Sequence, residues 1–285
     1  MSARPPLSWT PLLSRAGRRA RTRLLGGLCR QRVVFHHVPR YGGTSAGKAM
    51  PLGYLLSRAT IDAVAAFRAV QATWPGLSFP ELLRHDYALR QQLFLYLLAR
   101  DYRFVWAHVE FSETAHRLFG GRYRFVTLLR DPVERYLSNY YYDFGSPSPF
   151  AIREPLEEFV ESERGAQLGR RFCQFYSGLP PDRAADTALA VRLAQQNLHR
   201  FAVVGFLHDT PGFVEQLGQL VGSRLRMGHT NRGRRPASGP QQEVSPPTRE
   251  RIRVLCQPDV EVYEYALKHF GSRPAGHPAP AQEAA

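Results

Sequence analysis

The chain has 285 residues, enough to bury a sizeable core in one α/β domain, and its 38 Lys and Arg against 24 Asp and Glu give a formal charge of +14. That charge is uneven: residues 1–30 hold seven Arg and no acid, and 224–251 hold seven Arg against Glu243 and Glu250, so these two segments carry twelve of the fourteen charges. The near-neutral remainder argues against whole-surface nucleic-acid binding and leaves local attraction for an anionic ligand. Cys29, Cys173 and Cys256 are too few and too scattered for a disulfide framework, and none has metal-ligand spacing with histidines, so a reducing compartment and no metal are expected. No apolar run approaches the roughly 20 residues of a membrane-spanning helix, and the start lacks a signal-peptide apolar core. The expectation is a cytoplasmic protein with no integral membrane segment. Its parts are a basic, disordered tail at 1–30, one catalytic domain at 31–270 and a Pro/Ala-rich disordered tail at 271–285. Only Lys48 and Lys268 are lysines, so Arg stands almost wherever a cation is needed.

Taken in order, Val33, Val34 and Phe35 open a short apolar strand. It runs through His36, His37, Pro39 and Arg40 to the paired Gly42 and Gly43, then to Thr44, Ser45 and a helix over 45–56. A strand, a glycine turn and a hydroxyl-bearing helix start form a cradle for phosphate or sulfate, because glycines let successive N–H groups approach an anion closely. Residues 59–70 read as another helix or a surface insertion, Trp74-Pro75-Gly76 as an interruption, and 80–100 as a helix with Leu89, Leu93 and Leu97 at helical spacing. Residues 104–109 read as a buried strand with His108 near its C-terminal end, the end where open parallel sheets bind ligands. After a helix over 111–119, the apolar run 123–129 is the clearest strand, and it leads through Arg130-Asp131-Pro132 into a helix over 133–142.

Further on, 155–163 reads as a short acidic helix, and 170–178 as polar residues mixed with aromatics near a turn. An amphipathic helix follows over 184–199, then a strand over 201–205 and a helix over 210–222 capped by Thr210. A Gly/Pro/Arg-rich loop spans 229–242, and a closing helical region spans 246–270. Alternation of strands and helices predicts a parallel sheet covered on both faces, a P-loop-like three-layer α/β sandwich. Two anion corners, one of backbone N–H and hydroxyl groups and one built on Arg130, suit a ligand with two separated anionic groups.

These residues carry a resemblance. The stretch from His37 through Arg40, Tyr41, Gly42, Gly43, Thr44 and Ser45 resembles the 5′-phosphosulfate loop of the carbohydrate sulfotransferases, and that from Leu129 through Arg130 and Arg135 to Ser138 resembles their 3′-phosphate motif. The similarity spans about 33–270 and is nearest the uronyl and heparan sulfate 2-O-sulfotransferases. It implies the donor 3′-phosphoadenosine 5′-phosphosulfate, a carbohydrate hydroxyl as acceptor and no metal. It also implies Arg40 and residues 41–45 at the 5′-phosphosulfate, Arg130 and Ser138 at the 3′-phosphate, and His108 as the catalytic base. Arg135 is read either as support for this motif or as a solvent-facing helix residue. His229, Asn231 and Arg232 fall where the family closes a loop over the nucleotide, and Gln174, Ser177 and Gly178 resemble a segment near the acceptor.

The sequence departs from the family at Arg40, where Lys is usual, at Tyr41, where Thr is usual, and at Trp106, where an earlier histidine stands. Arg keeps the charge but does not readily donate a proton, so the resemblance implies electrostatic stabilisation at this position. Two other readings stay open. Gly42 to Lys48 also matches a nucleotide-triphosphate phosphate loop, apart from Ala49 where a Mg²⁺-binding hydroxyl is expected. A non-catalytic binder of acidic glycans would use the Arg-rich loop.

Overall fold

Apolar runs without polar alternation belong to a sheet covered on both faces, and the chain builds one. The computed structural model describes residues 31–40, 50–180, 188–225 and 244–271. Its five strands are β1 (Arg32–His36), β2 (Arg58–Thr60), β3 (Phe104–Ala107), β4 (Tyr123–Leu129) and β5 (Val203–Phe206). All neighbours are parallel, in the order β2-β3-β1-β4-β5, with Val34 opposite both Val105 and Phe125. This is a P-loop-like three-layer α/β sandwich. Successive connections run to one side of β1 and then cross to the other, so a topological switch point falls at the C-terminal end of β1.

Alternate strand residues enter opposite layers. Val34, Val105, Phe125 and Val204 pack in one core with α3 (Phe79–Ala99), α8 (Arg171–Tyr176), α9 (Ala188–Leu198) and α12 (Gln257–Phe270). Val33, Phe35, Phe104, Trp106 and Val126 pack on the opposite face with α10 (Thr210–Val221), through Phe213, Leu217 and Val221. Gly205 permits this close approach, since a Cβ there would overlap the Phe213 ring. The segment after β4 forms α5 (Pro132–Asp143), which packs with α6 (Leu156–Phe159), α7 (Glu163–Gly169) and α11 (Pro246–Leu255) in a third cluster around Tyr136, Phe159 and Ile252.

The remaining helices are α1 (Leu52–Leu56), α2 (Ala63–Thr73) and α4 (Glu113–Phe119). Several boundaries differ from the sequence reading for local reasons. Arg58–Thr60 is an edge strand rather than the start of a helix, because the Asp62 carboxylate caps Val64 and Ala65 and so fixes the helix start beyond it. The expected acidic helix divides into α6 and α7, where Ser162 caps Gly165. Residues 171–176 are a buried helix rather than a turn. At α10 the cap is Asp209, which accepts the Gly212 N–H, with Thr210 and Pro211 already inside the helix. The closing helical region breaks at Cys256, where Pro258 starts α12. Among the described residues no helix is long and apolar enough to cross a membrane.

Candidate active site

The two cationic corners meet at the switch point. Arg40 follows β1 and Arg130 follows β4, and Arg130 Nη1 donates to the Arg40 carbonyl at 3.2 Å. Arg40 adopts φ 73°, a left-handed conformation that side chains rarely take and that tertiary surroundings must hold in place. Its guanidinium lies over the Tyr142 ring, 2.8 Å from the centroid. Burial works against the charge on both guanidiniums, opposed at Arg40 by Tyr142 and Asp143 and at Arg130 by Glu134. Neither makes an ion pair among the described residues. Two half-buried cations at one strand end, with no ion pair to neutralise either among the described residues, create a local field that favours an anion. Asp131 caps α5 by accepting the Glu134 N–H, and this fixes the helix start directly after Arg130. Ser138 lies partly exposed two turns along the same helix.

On the other side of β1, His108 follows β3 and faces His37. Their Nε2 atoms are 3.1 Å apart, and His108 Nδ1 lies 3.3 Å from the His37 carbonyl. Trp106 determines the proton arrangement. An indole nitrogen only donates, so its 2.6 Å bond to His37 Nε2 requires that Nε2 to be bare. The His37 proton then sits on Nδ1, 3.2 Å from the Phe35 carbonyl. Neutral His108 with Nδ1–H directed at the His37 carbonyl then sets its Nε2 lone pair against a His37 Nε2 whose single lone pair already accepts from Trp106. A proton on His108 Nε2 removes that opposition, and the new N–H shares the His37 lone pair with the indole. Burial opposes the uptake, pushing His108 down to about 4, with Arg90 and Arg40 adding repulsion; the Arg40 charge is thus close enough to be felt at His108. Burial holds His37 well below its ordinary value, and the His108 charge lowers it further.

Support for His108 comes from α3, which the sequence reading treated only as core. Arg90 Nη1 donates to the His108 carbonyl at 3.0 Å, while its Nη2 pairs with the fully buried Asp86 at 2.5 Å. The i,i+4 spacing of Asp86 and Arg90 within an apolar helix face was the available signal. Glu110, two residues beyond His108, is another residue the sequence reading did not single out. It is 7% exposed, and its Oε1 accepts from Gln174 Nε2 at 2.9 Å. Gln174 in turn accepts from Arg171, and its bond to Glu110 ties the 170–178 segment to the residues after His108. Ser177 is buried, and its Oγ accepts the Leu179 N–H.

Other expected positions behave differently. Arg135 does not face solvent, and its charge acts on Arg130 as a repulsion. It is fully buried, bonded to the Leu168 carbonyl at 2.7 Å and to Asp259 at 3.4 Å. Asp259 also accepts the Phe172 and Cys173 N–H groups, so this ion pair joins α5, α8 and α12 as structure. His36 points into the core, stacked on Tyr176 with ring centroids 5.3 Å apart. Tyr41, Gly42, Gly43, Thr44 and Ser45 of the anion loop, and His229, Asn231 and Arg232, lie outside the described residues.

No known family model matches the chain, and no curated protein matches it. Among solved structures, a sulfotransferase from Alicyclobacillus acidocaldarius is similar at 14% sequence identity, covering 84% of this chain and 96% of that one, with a TM-score of 0.44. Residue roles therefore rest on the geometry of this chain.

Proposed function

We propose that this chain transfers a sulfuryl group from 3′-phosphoadenosine 5′-phosphosulfate to a carbohydrate hydroxyl. The reading is supported by two half-buried guanidiniums at the switch point beside His108, Arg40 and Arg130, which make no ion pair among the described residues and are linked through the Arg40 carbonyl. A donor with anionic groups at both ends of a nucleoside suits the two corners, with Arg130 and Ser138 at the 3′-phosphate and Arg40 with residues 41–45 at the 5′-phosphosulfate.

In the reaction, the acceptor oxygen forms a bond to sulfur as the bond from sulfur to the bridging phosphate oxygen breaks, and adenosine 3′,5′-bisphosphate leaves. The leaving oxygen gains negative charge, which the Arg40 guanidinium stabilises without donating a proton. The acceptor proton passes to His108 Nε2, whose new N–H shares the single Nε2 lone pair of His37 with the Trp106 indole. Trp106 keeps the His37 nitrogen bare, and Arg90 anchors the His108 backbone.

A thermal-shift comparison tests the donor class. Adenosine 3′,5′-bisphosphate is expected to raise Tm, and ATP with Mg²⁺ is not. The reverse pattern overturns the reading in favour of a nucleotide-triphosphate enzyme.

A further inference from the structure

Two ends of one helix hold Arg40. Arg130, which leads into α5, donates to the Arg40 carbonyl, and Tyr142, the second-last residue of α5, lies under the Arg40 guanidinium. The backbone of Arg40 and its charge are therefore both fixed by the same element, in a residue whose left-handed conformation needs such support. The end of α5 that carries Tyr142 is itself pinned. The Ile152 N–H donates to the Asp143 carbonyl and the Gly145 N–H to the Ile152 carbonyl, each at 3.0 Å, and the Tyr140 hydroxyl donates to the Glu154 carbonyl at 3.0 Å. The half-buried Asp143 carboxylate accepts from Asn139 Nδ2 at 2.5 Å and is attracted by the Arg40, Arg171 and Arg164 charges. The Arg40 charge is also felt at His108, so the ring holds the guanidinium on the side of the switch point where that histidine stands.

This contact suits arginine. A guanidinium is planar, delocalised and weakly hydrated, and it rests on an aromatic face more readily than the compact, strongly hydrated ammonium of lysine. Held in this way it also keeps N–H donors that an ion pair would occupy, and an oxyanion needs those donors. We infer that Tyr142 is a positioning residue: its ring holds the Arg40 guanidinium beside His108, where the leaving oxygen develops charge, and so lets an arginine serve at a position where the resemblance gives lysine. The role toward the leaving group rests on the sulfotransferase reading, whereas the ring contact does not. Tyr142 is 58% exposed, so replacing it leaves the core intact.

The test uses the full chain and two measurements. By NMR without ligand, the Arg40 Nε–H proton, assigned by its loss in Arg40→Ala, should lie upfield through the ring current, return to an ordinary position in Tyr142→Leu and stay upfield in Tyr142→Phe. An ordinary position in the wild type overturns the contact. Calorimetry then reads the role. Tyr142→Leu should weaken adenosine 3′,5′-bisphosphate about three- to tenfold, while Tyr142→Phe, which keeps the ring, should stay within about twofold of the wild type. Adenosine 3′-monophosphate, which lacks the 5′ group, should bind both variants as it binds the wild type, and Tyr142→Leu should have no further effect in an Arg40→Ala background. Unchanged bisphosphate affinity in Tyr142→Leu, an equal loss for both nucleotides, or a loss that persists without Arg40 overturns the positioning role. A wild type that binds neither nucleotide but shows the upfield proton rejects the sulfotransferase reading, and with it the role toward the leaving group, while the ring contact stands.

Discussion

Trp106→Phe separates a histidine pair organised by hydrogen bonding from one that merely packs. Phe retains ring contacts near Phe35 and Phe104, whose centroids lie 5.8 and 6.2 Å from the indole, but removes the donor 2.6 Å from His37 Nε2. The lost neutral hydrogen bond and the buried acceptor left behind cost about 1–3 kcal/mol. The smaller ring adds roughly 1 kcal/mol at a site only 9% exposed. A destabilisation of about 2–4 kcal/mol in urea is the expected total. The indole bond favours neutral His37, so its loss must also raise the pH at which His37 takes up a proton. Long-range ¹⁵N ring spectra read both effects: wild-type His37 should carry its proton on Nδ1, and the variant should protonate at higher pH. A wild-type proton on Nε2, or a stability loss below about 0.5 kcal/mol, refutes the arrangement.

Three further substitutions probe the frame and the clamp. Asp259→Asn leaves the Arg135 charge buried without its partner and should cost about 3–5 kcal/mol in urea denaturation, so a near-neutral result would contradict a structural ion pair. Burial pushes His36 down to about 3 from an ordinary value of 6.5. Between those pH values the unfolded chain binds a proton there that the folded chain refuses, so stability falls on acidification by about 1.4 kcal/mol per pH unit. His36→Phe should remove that increment from the pH 4–6.5 slope, and parallel slopes for variant and wild type would contradict the burial argument. Arg130→Ala should weaken adenosine 3′,5′-bisphosphate binding about 10–100-fold by calorimetry, the loss of a charged hydrogen-bond donor to phosphate. Unchanged affinity would remove Arg130 from the clamp.

The strand-to-helix corner at Arg130 was legible because it combines an apolar run, a turn and a cation within a few residues, and of the corner after β1 the strand up to Arg40 was legible, while 41–49 lie outside the described residues. Contacts made across the fold were not. Arg135 reads as support for the Arg130 motif or as a surface residue until Asp259, 124 residues away, pairs with it in the core. His37 and His108 are 71 residues apart, and only adjacency of β1 and β3 brings them together. Edge strand β2 has three residues with only Ala59 buried, too short for an alternation to declare itself. The break between α11 and α12 did have a local sign in Pro258, and Asp86 with Arg90 had one in their spacing. Glu110 carried none, because its side-chain partner, Gln174, is 64 residues away.

Sulfuryl transfer through His108 is tested most directly by pairing two readings on His108→Ala: turnover of ³⁵S-labelled 3′-phosphoadenosine 5′-phosphosulfate with a panel of carbohydrate acceptors, and affinity for adenosine 3′,5′-bisphosphate. Wild-type protein should label an acceptor, and the variant should lose about 10²–10⁴-fold in turnover, as expected for a general base, while binding the nucleotide as before. Transfer that continues unchanged in the variant contradicts the role of His108, and an absence of transfer by the wild type to every acceptor contradicts the reaction itself.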